Sequence, residues 1–215
     1  MKNILHVSCS PRGETAESSK LAQKIIGFLR QKEPTAIVVN RVIGDGTLSH
    51  IDKDYAISQG SSADVSQEGS MAQSEELIRE LEAADVVVIG TPMHNFTVPS
   101  VLKAWIDHVV RARRTFNTTR AGKVGTLRDR PVFIAIASGG RFSGERARQP
   151  DFLTPYLKAI LATIGLHDLT FFSVQGTGAA PEAVVESRIE ADHALQAYFS
   201  ASPAITSTVL KERAI

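Results

Sequence analysis

Residues 85–116 read DVVVIGTPMHNFTVPSVLKAWIDHVVRARRTF, and this stretch decides the fold. Val86, Val87, Val88 and Ile89 form an unbroken apolar run ended by Gly90, the pattern of a central strand buried on both faces of a parallel sheet. Thr91 and Pro92 are expected to end the strand, because proline cannot donate to a ladder and biases Thr91 away from αR. Met93, His94, Asn95 and Phe96 then make a short loop. Pro99 falls at the first turn of a helix whose apolar positions, Val101, Leu102, Trp105, Ile106 and Val109, recur at helical spacing. A loop at the carboxyl end of a central parallel strand is where open α/β sheets place their ligands. With a flat apolar side chain, an amide and an imidazole, this one suits a planar polar ring.

Upstream, Ile4 to Val7 read as a first strand that runs into the loop Ser8-Cys9-Ser10-Pro11-Arg12-Gly13-Glu14-Thr15-Ala16-Glu17-Ser18. A helix follows with Leu21, Ala22, Ile25, Ile26 and Leu29 on one face and Ser18 or Ser19 as its cap. Strand, hydroxyl-rich loop and helix N-terminus together describe an anion site, since backbone N–H groups and the helix dipole converge there. The loop matches neither GxxxxGKS nor GxGxxG, and it offers no lysine for a terminal phosphate, so a phosphate monoester suits it better than a triphosphate. A capped βα turn is the plain alternative. A second strand is expected over Ala36–Asn40. Residues 43–67, rich in Gly, Ser and Asp, read as a long surface excursion with a short helix at 52–58. MAQSEELIRELEA, residues 71–83, is strongly helical.

Downstream, residues 117–128 are polar with Gly122 and Gly125 and suit a hairpin or lid. PVFIAIA, residues 131–137, is another buried strand, ending in the loop Ser138-Gly139-Gly140-Arg141-Phe142, whose paired glycines let backbone approach a ligand. Residues 144–151 look exposed. Helices are expected over 152–164 and from Pro181 to about Tyr198, with a fifth strand at 169–174 between them. Five strands alternating with five helices argue for a doubly wound parallel sheet of order 2-1-3-4-5, which gathers the loops after strands one, three and four at one edge. Residues 1–200 are read as one domain and 201–215 as a flexible tail.

The composition narrows the partners. A formal charge of +1, with 24 basic and 23 acidic residues interspersed, gives no electrostatic footprint for nucleic acid or an anionic membrane. No apolar run approaches the ~20 residues of a membrane-crossing helix. The single cysteine, Cys9, excludes an internal disulfide and fits a reducing compartment, so the cytoplasm is the expected location.

Four groups of residues carry a family resemblance: SxSPRG with a serine at the helix start, PMxNFxxPxxLKxWxDxxxRxxxTF, SGGxF, and DFxxPYLxxxLxxIG. They resemble the FMN-dependent NADH-azoreductases, homodimeric flavodoxin-like NAD(P)H:quinone oxidoreductases, over about Lys2 to Gly178. The resemblance implies that Ser10 and the turn Ala16-Glu17-Ser18 hold the FMN phosphate, one FMN per subunit. It implies that Met93, His94, Asn95 and Phe96 border the isoalloxazine ring and that Ala137, Ser138, Gly139 and Gly140 meet its pyrimidine side. Phe116 and Phe152 are implied substrate contacts, with Tyr156 facing a partner's site. NADH or NADPH would supply hydride to flavin N5, and a quinone or an aromatic azo compound would then take its place in a ping-pong cycle. Catalysis is flavin-centred, with His94 and Asn95 as assistants at most, and no metal is expected. The chain departs from the family at His94, usually tyrosine, at Ala16, often serine, and at Ser138, often arginine.

Against these stand plainer readings. His94 can simply lie against the ring, Cys9 can be a small buried filler, and Trp105 can be core or dimer packing. Arg111, Arg113 and Arg114 read as a solvated or interfacial basic run, and His6 and His108 lack the paired spacing of metal ligands. The alternative function is a flavodoxin-like electron carrier without direct NAD(P)H oxidation. A phosphatase on the same fold would need a nucleophile, and Arg12 follows Cys9 too closely for CxxxxxR.

Overall fold

The computed structural model describes residues 2–60 and 69–201. Five parallel strands, β1 (Asn3–Ser8), β2 (Ile37–Val42), β3 (Val86–Pro92), β6 (Val132–Ser138) and β7 (Leu169–Gln175), pair in the order β2-β1-β3-β6-β7. Counting only the strands of this sheet, that is the expected 2-1-3-4-5. The numbering shifts because β4 (Phe116–Thr119) and β5 (Gly122–Gly125) form a separate antiparallel hairpin where the sequence suggested a hairpin or lid.

The alternation of side chains along each strand sends apolar groups to both faces. Leu5, Val7, Val87, Ile89, Ile134 and Ile136 face α3 (Gly69–Ala83), α4 (Ser100–Val109) and α5 (Leu153–Thr163). Ile4, Val86, Val88, Phe133, Phe172 and Val174 face α1 (Glu17–Lys32) and α6 (Pro181–Ala201). Trp105 lies in the first of these cores, which settles its role as packing. The short helix expected at 52–58 is α2 (Lys53–Gly60). The remainder of the 43–67 excursion beyond Gly60, and the tail beyond Ala201, lie outside the described residues.

β3 ends at Thr91 and Pro92 as expected, both still paired with Ile136 and Ala137 in the ladder. Proline is tolerated there because the ladder bond at that step is donated by Met93 N–H to the Ala137 carbonyl, at 2.8 Å. Three expectations need correction. Neither Ser18 nor Ser19 caps α1. Ala16 holds the N-cap position without a side-chain bond, and the two serines sit inside the first turn, buried, their Oγ atoms without a hydrogen-bond partner. Arg111 is not solvated. Its guanidinium pairs with Glu75 of α3 and donates to Ser74 Oγ at 3.0 Å, because α4 delivers it against the polar edge of α3. Arg114 joins by bonding Glu75 at 3.0 Å and Glu82 at 2.6 Å. Finally, residues 144–151 are not all exposed: Gln149 is half-buried against the sheet's carboxyl edge.

Gly90 lets α1 settle onto β3. A Cβ there would stand 3.2 Å from both the Ala22 Cβ and the Ser18 carbonyl oxygen, tighter than ordinary packing allows. The first turn of α1 therefore lies directly against the carboxyl end of the central strand.

Candidate active site

The loops after β1, β3 and β6 converge on a cavity of about 220 Å³. Its walls include Ser10, Arg12, Ala16, Glu17 and Ser18 from the first loop, Pro92, Met93 and His94 from the second, and Ala137, Gly139 and Thr177 from the third side. A larger hollow of about 490 Å³ lies at the far edge of the sheet, between β2 and α3. Its carboxylates, Glu75, Glu76 and Glu80, are all ion-paired to arginines, and none of the three loops reaches it. Volume and chemistry thus disagree, and the chemistry belongs to the smaller cavity.

The first loop is pinned from three sides. Cys9 N–H donates to Gly90 O at 2.9 Å, Gly13 N–H to Ser10 O at 3.1 Å, and Arg12 N–H to Ser10 Oγ at 3.2 Å. Gly44, just past β2, presses on it from behind: its N–H bonds Ser8 O at 3.1 Å, and a Cβ there would stand 2.3 Å from Ser10 O. Cys9 itself is fully buried and burial pushes its thiol pKa up, so it is inert filling. The α1 N-terminus then presents free N–H groups and the Ser18 hydroxyl, which is fully buried and has no partner. A buried hydroxyl left unsatisfied is costly. An anion seated at this helix end would satisfy it.

The second loop is a tight turn. His94 and Thr97 exchange both backbone hydrogen bonds at 3.0 Å, and Asn95 and Phe96 between them carry φ values of 48° and 69°. Two successive positive φ angles are the signature of a type I′ turn, which asparagine favours and phenylalanine does not. The turn holds the side chains of His94, Asn95 and Phe96 at the surface, with Phe96 43% exposed. Phe152 N–H donates to the Phe96 carbonyl at 3.0 Å, so the entry to α5 is tied to the turn, and Phe152 itself is 60% exposed. Phe116, by contrast, is 6% exposed and belongs to the core, with the Lys123 ammonium over its ring. Tyr156 packs on the same core, and burial raises its phenol pKa.

On the third side, Ser138 is buried and Gly139 is exposed. Thr177 N–H donates to Ser138 O at 3.0 Å and Gly178 N–H to Gly139 O at 3.1 Å, so the loop after β7 braces this one. Gln149 donates to Ser138 Oγ at 3.0 Å and to Met93 Sδ at 3.1 Å, coupling the second and third loops. A Cβ on Gly140 would collide with the Gln149 amide at 2.2 Å. Sequence reasoning did not assign Gln149, Gly44 or Thr177 to the site. The only trace of them is chemical type, a polar residue or a glycine near a strand end.

The electrostatic feature of the cavity is Glu17. Its carboxylate accepts both forks of the Arg188 guanidinium at 2.8 Å and the Lys20 ammonium at 3.0 Å. Arg188, and then Lys20, hold its pKa down to about 2, so the group is ionised at neutral pH.

The family model of the flavodoxin-like fold matches residues 2–199. The chain is 46% identical over 196 residues to an FMN-dependent NADH:quinone oxidoreductase of Pseudomonas fluorescens, covering 91% of this chain and 94% of the relative. It is 45% identical over 187 residues to one of Burkholderia lata, covering 86% and 90%. Among solved structures, an azoreductase from Bacillus anthracis superposes with a TM-score of 0.79 at 24% identity, covering 94% of this chain and all of that one, a likeness of fold. By sequence over nearly its full length, this chain belongs to the flavodoxin-like family, among the FMN-dependent NADH:quinone oxidoreductases.

Proposed function

We propose that the chain is an FMN-dependent NADH:quinone oxidoreductase and that the three-loop cavity is its flavin site. The observation that carries this is the Ser18 hydroxyl, buried and unpartnered at the N-terminus of α1, inside a cavity walled by the two other loops. The donors fit a phosphate monoester: N–H groups at the helix start, the Ser18 and Ser10 hydroxyls, and exposed Arg12 at the rim. FMN, when bound, supplies the two-electron chemistry, accepting hydride from NADH and passing it to an acceptor.

The chain's own residues do the rest. Met93 and Pro92 form an apolar floor, while Ala137, Ser138, Gly139 and Gly140 bring backbone to the edge of a flat ring, where N–H groups stabilise charge that develops on reduction. His94 and Asn95 offer polar groups at the mouth. Phe152 stands where an acceptor enters, whereas Phe116 belongs to the core.

The cavity is small beside the ~300–1,000 Å³ usual for ligand pockets, and Phe96, in the turn after wall residue His94, and Phe152, tied to that turn, stand uncovered. A second copy of the chain laid over this face would complete the wall, and this supports a homodimer with one FMN per subunit. Residues 1–200 act as one flavin-binding unit, a reading supported by the 2–199 span of the family match. Quinones are the physiological acceptors, aromatic azo compounds the adventitious ones, and the single free cysteine supports a cytoplasmic setting.

The test is spectroscopic. Purified protein mixed with FMN should hold a yellow flavin that NADH bleaches without oxygen and benzoquinone restores. Flavin that binds but that neither NADH nor NADPH bleaches would make the chain a carrier. Failure to bind flavin at all would sink the site assignment.

A further inference from the structure

Glu17 poses a difficulty for the site just proposed. It opens α1, at the very turn whose N–H groups face the cavity, and its ionised carboxylate forms part of the cavity wall. A phosphate monoester carries up to two negative charges, so an uncompensated carboxylate beside it would repel it. The same residue also lines the seam between α1 and α6, with Lys20, Lys24, Arg188 and Asp192. In that seam Lys24 is committed to Asp192, at 2.5 Å and 2.8 Å, and Lys20 reaches Glu17 through a single oxygen. Arg188 alone grips both oxygens, in the bidentate geometry that fixes direction as well as charge.

We propose that Arg188, 171 residues away in sequence on α6, is the positioning residue that makes the cavity selective for a phosphorylated flavin. It draws the Glu17 carboxylate toward the α1–α6 seam and cancels its charge, leaving the helix N–H groups and the Ser18 hydroxyl as the field that a phosphate meets. The inference rests on the FMN reading above. It adds to that reading a residue outside the three loops and a property, discrimination between FMN and riboflavin, which differ only in the phosphate.

A plain structural role for the pair predicts something else. As an ordinary α1–α6 tie, its loss would lower stability and weaken both flavins alike. The experiment therefore measures dissociation constants for FMN and for riboflavin, by quenching of flavin fluorescence, on the full chain. Arg188→Gln is expected to weaken FMN about tenfold and riboflavin less than about twofold, since only the phosphate feels the released charge. Adding Glu17→Gln to Arg188→Gln should return FMN to within about threefold of the parent protein, because there is then no carboxylate left to neutralise. Glu17→Gln alone should bind FMN at least as tightly as the parent, and this variant decides the matter even if Arg188→Gln fails to fold. Equal weakening of both flavins by Arg188→Gln, no weakening at all, or a loss of FMN affinity in Glu17→Gln would each overturn the proposal. A parent protein that binds neither flavin would overturn the FMN reading instead, so the two failures are distinguishable.

Discussion

Phe96 is held at φ 69° next to Asn95 at 48°, and for a phenylalanine this left-handed conformation costs about 1–2 kcal/mol. The two backbone bonds between His94 and Thr97 and the bond from Phe152 N–H to the Phe96 carbonyl hold it there. Strain retained at the mouth of a cavity is a hallmark of a working residue. Phe96→Gly is therefore expected to leave thermal stability unchanged or raise it by up to about 1 kcal/mol, whereas Phe96→Val should lower it by about 1–2 kcal/mol; a melting curve of each settles it. Both variants should lower quinone turnover. The sequence placed a ring-cradling loop here but not its turn type, because phenylalanine argues against positive φ and only the pairing of His94 with Thr97 enforces it.

At the level of elements, β1, β3 and β6 were legible because each is an apolar run that must be buried, and the helices because their apolar residues recur on one face. Ends were less so. Pro92 closes β3 while still paired, since in that register the ladder bond is donated by Met93 and none is asked of residue 92. Ser18 and Ser19 read as caps yet lie two and three positions past the N-cap, Ala16, and neither hydroxyl bonds a backbone N–H. The supports of the site were illegible for a different reason: Gly44, Gln149 and Thr177 come from segments remote in sequence, and only the assembled sheet brings them together. Gly44 carries a sharp consequence. Gly44→Ala would drive a methyl into the backbone of Ser10, at 2.3 Å from its carbonyl oxygen, so the loop after β1 must shift. The variant should fold with a loss of about 1–3 kcal/mol and bind FMN more weakly than its stability loss accounts for, as denaturation and flavin titration on the same sample will show.

Across the whole molecule, buried and paired ionisable groups set the response to acid. His6 lies buried in β1 with Nδ1 on the Asn40 amide at 3.0 Å and Nε2 without a partner, and burial lowers its pKa below 6.5. The unfolded chain thus takes up a proton first as pH falls below 6.5, and stability declines from there. Glu17, lowered to about 2 by Arg188, and Glu75, lowered by Arg114 and then Arg111, act in a lower window. Their contribution is complete above the ordinary glutamate value of 4.5 and is lost as pH falls from there toward 2. Melting temperature plotted against pH should show both declines, and His6→Gln should flatten the upper one while leaving the lower. An upper decline unchanged in that variant would assign it to another group. Among the described residues no helix is long and apolar enough to cross a membrane.

The reach of α6 back to the start of the chain has a consequence for synthesis. Phe199 stacks on Phe28 at 5.0 Å and Arg188 grips Glu17, so α6 closes on α1. On a ribosome the anion loop and α1 emerge well before Arg188, the guanidinium that faces Glu17, has been made. A nascent chain halted after Ala180 already owns every strand of its sheet and still lacks that charge. If Arg188 acts as proposed, such a shortened chain meets a phosphate with the Glu17 charge offset by Lys20 alone, and should hold FMN more weakly than the full chain.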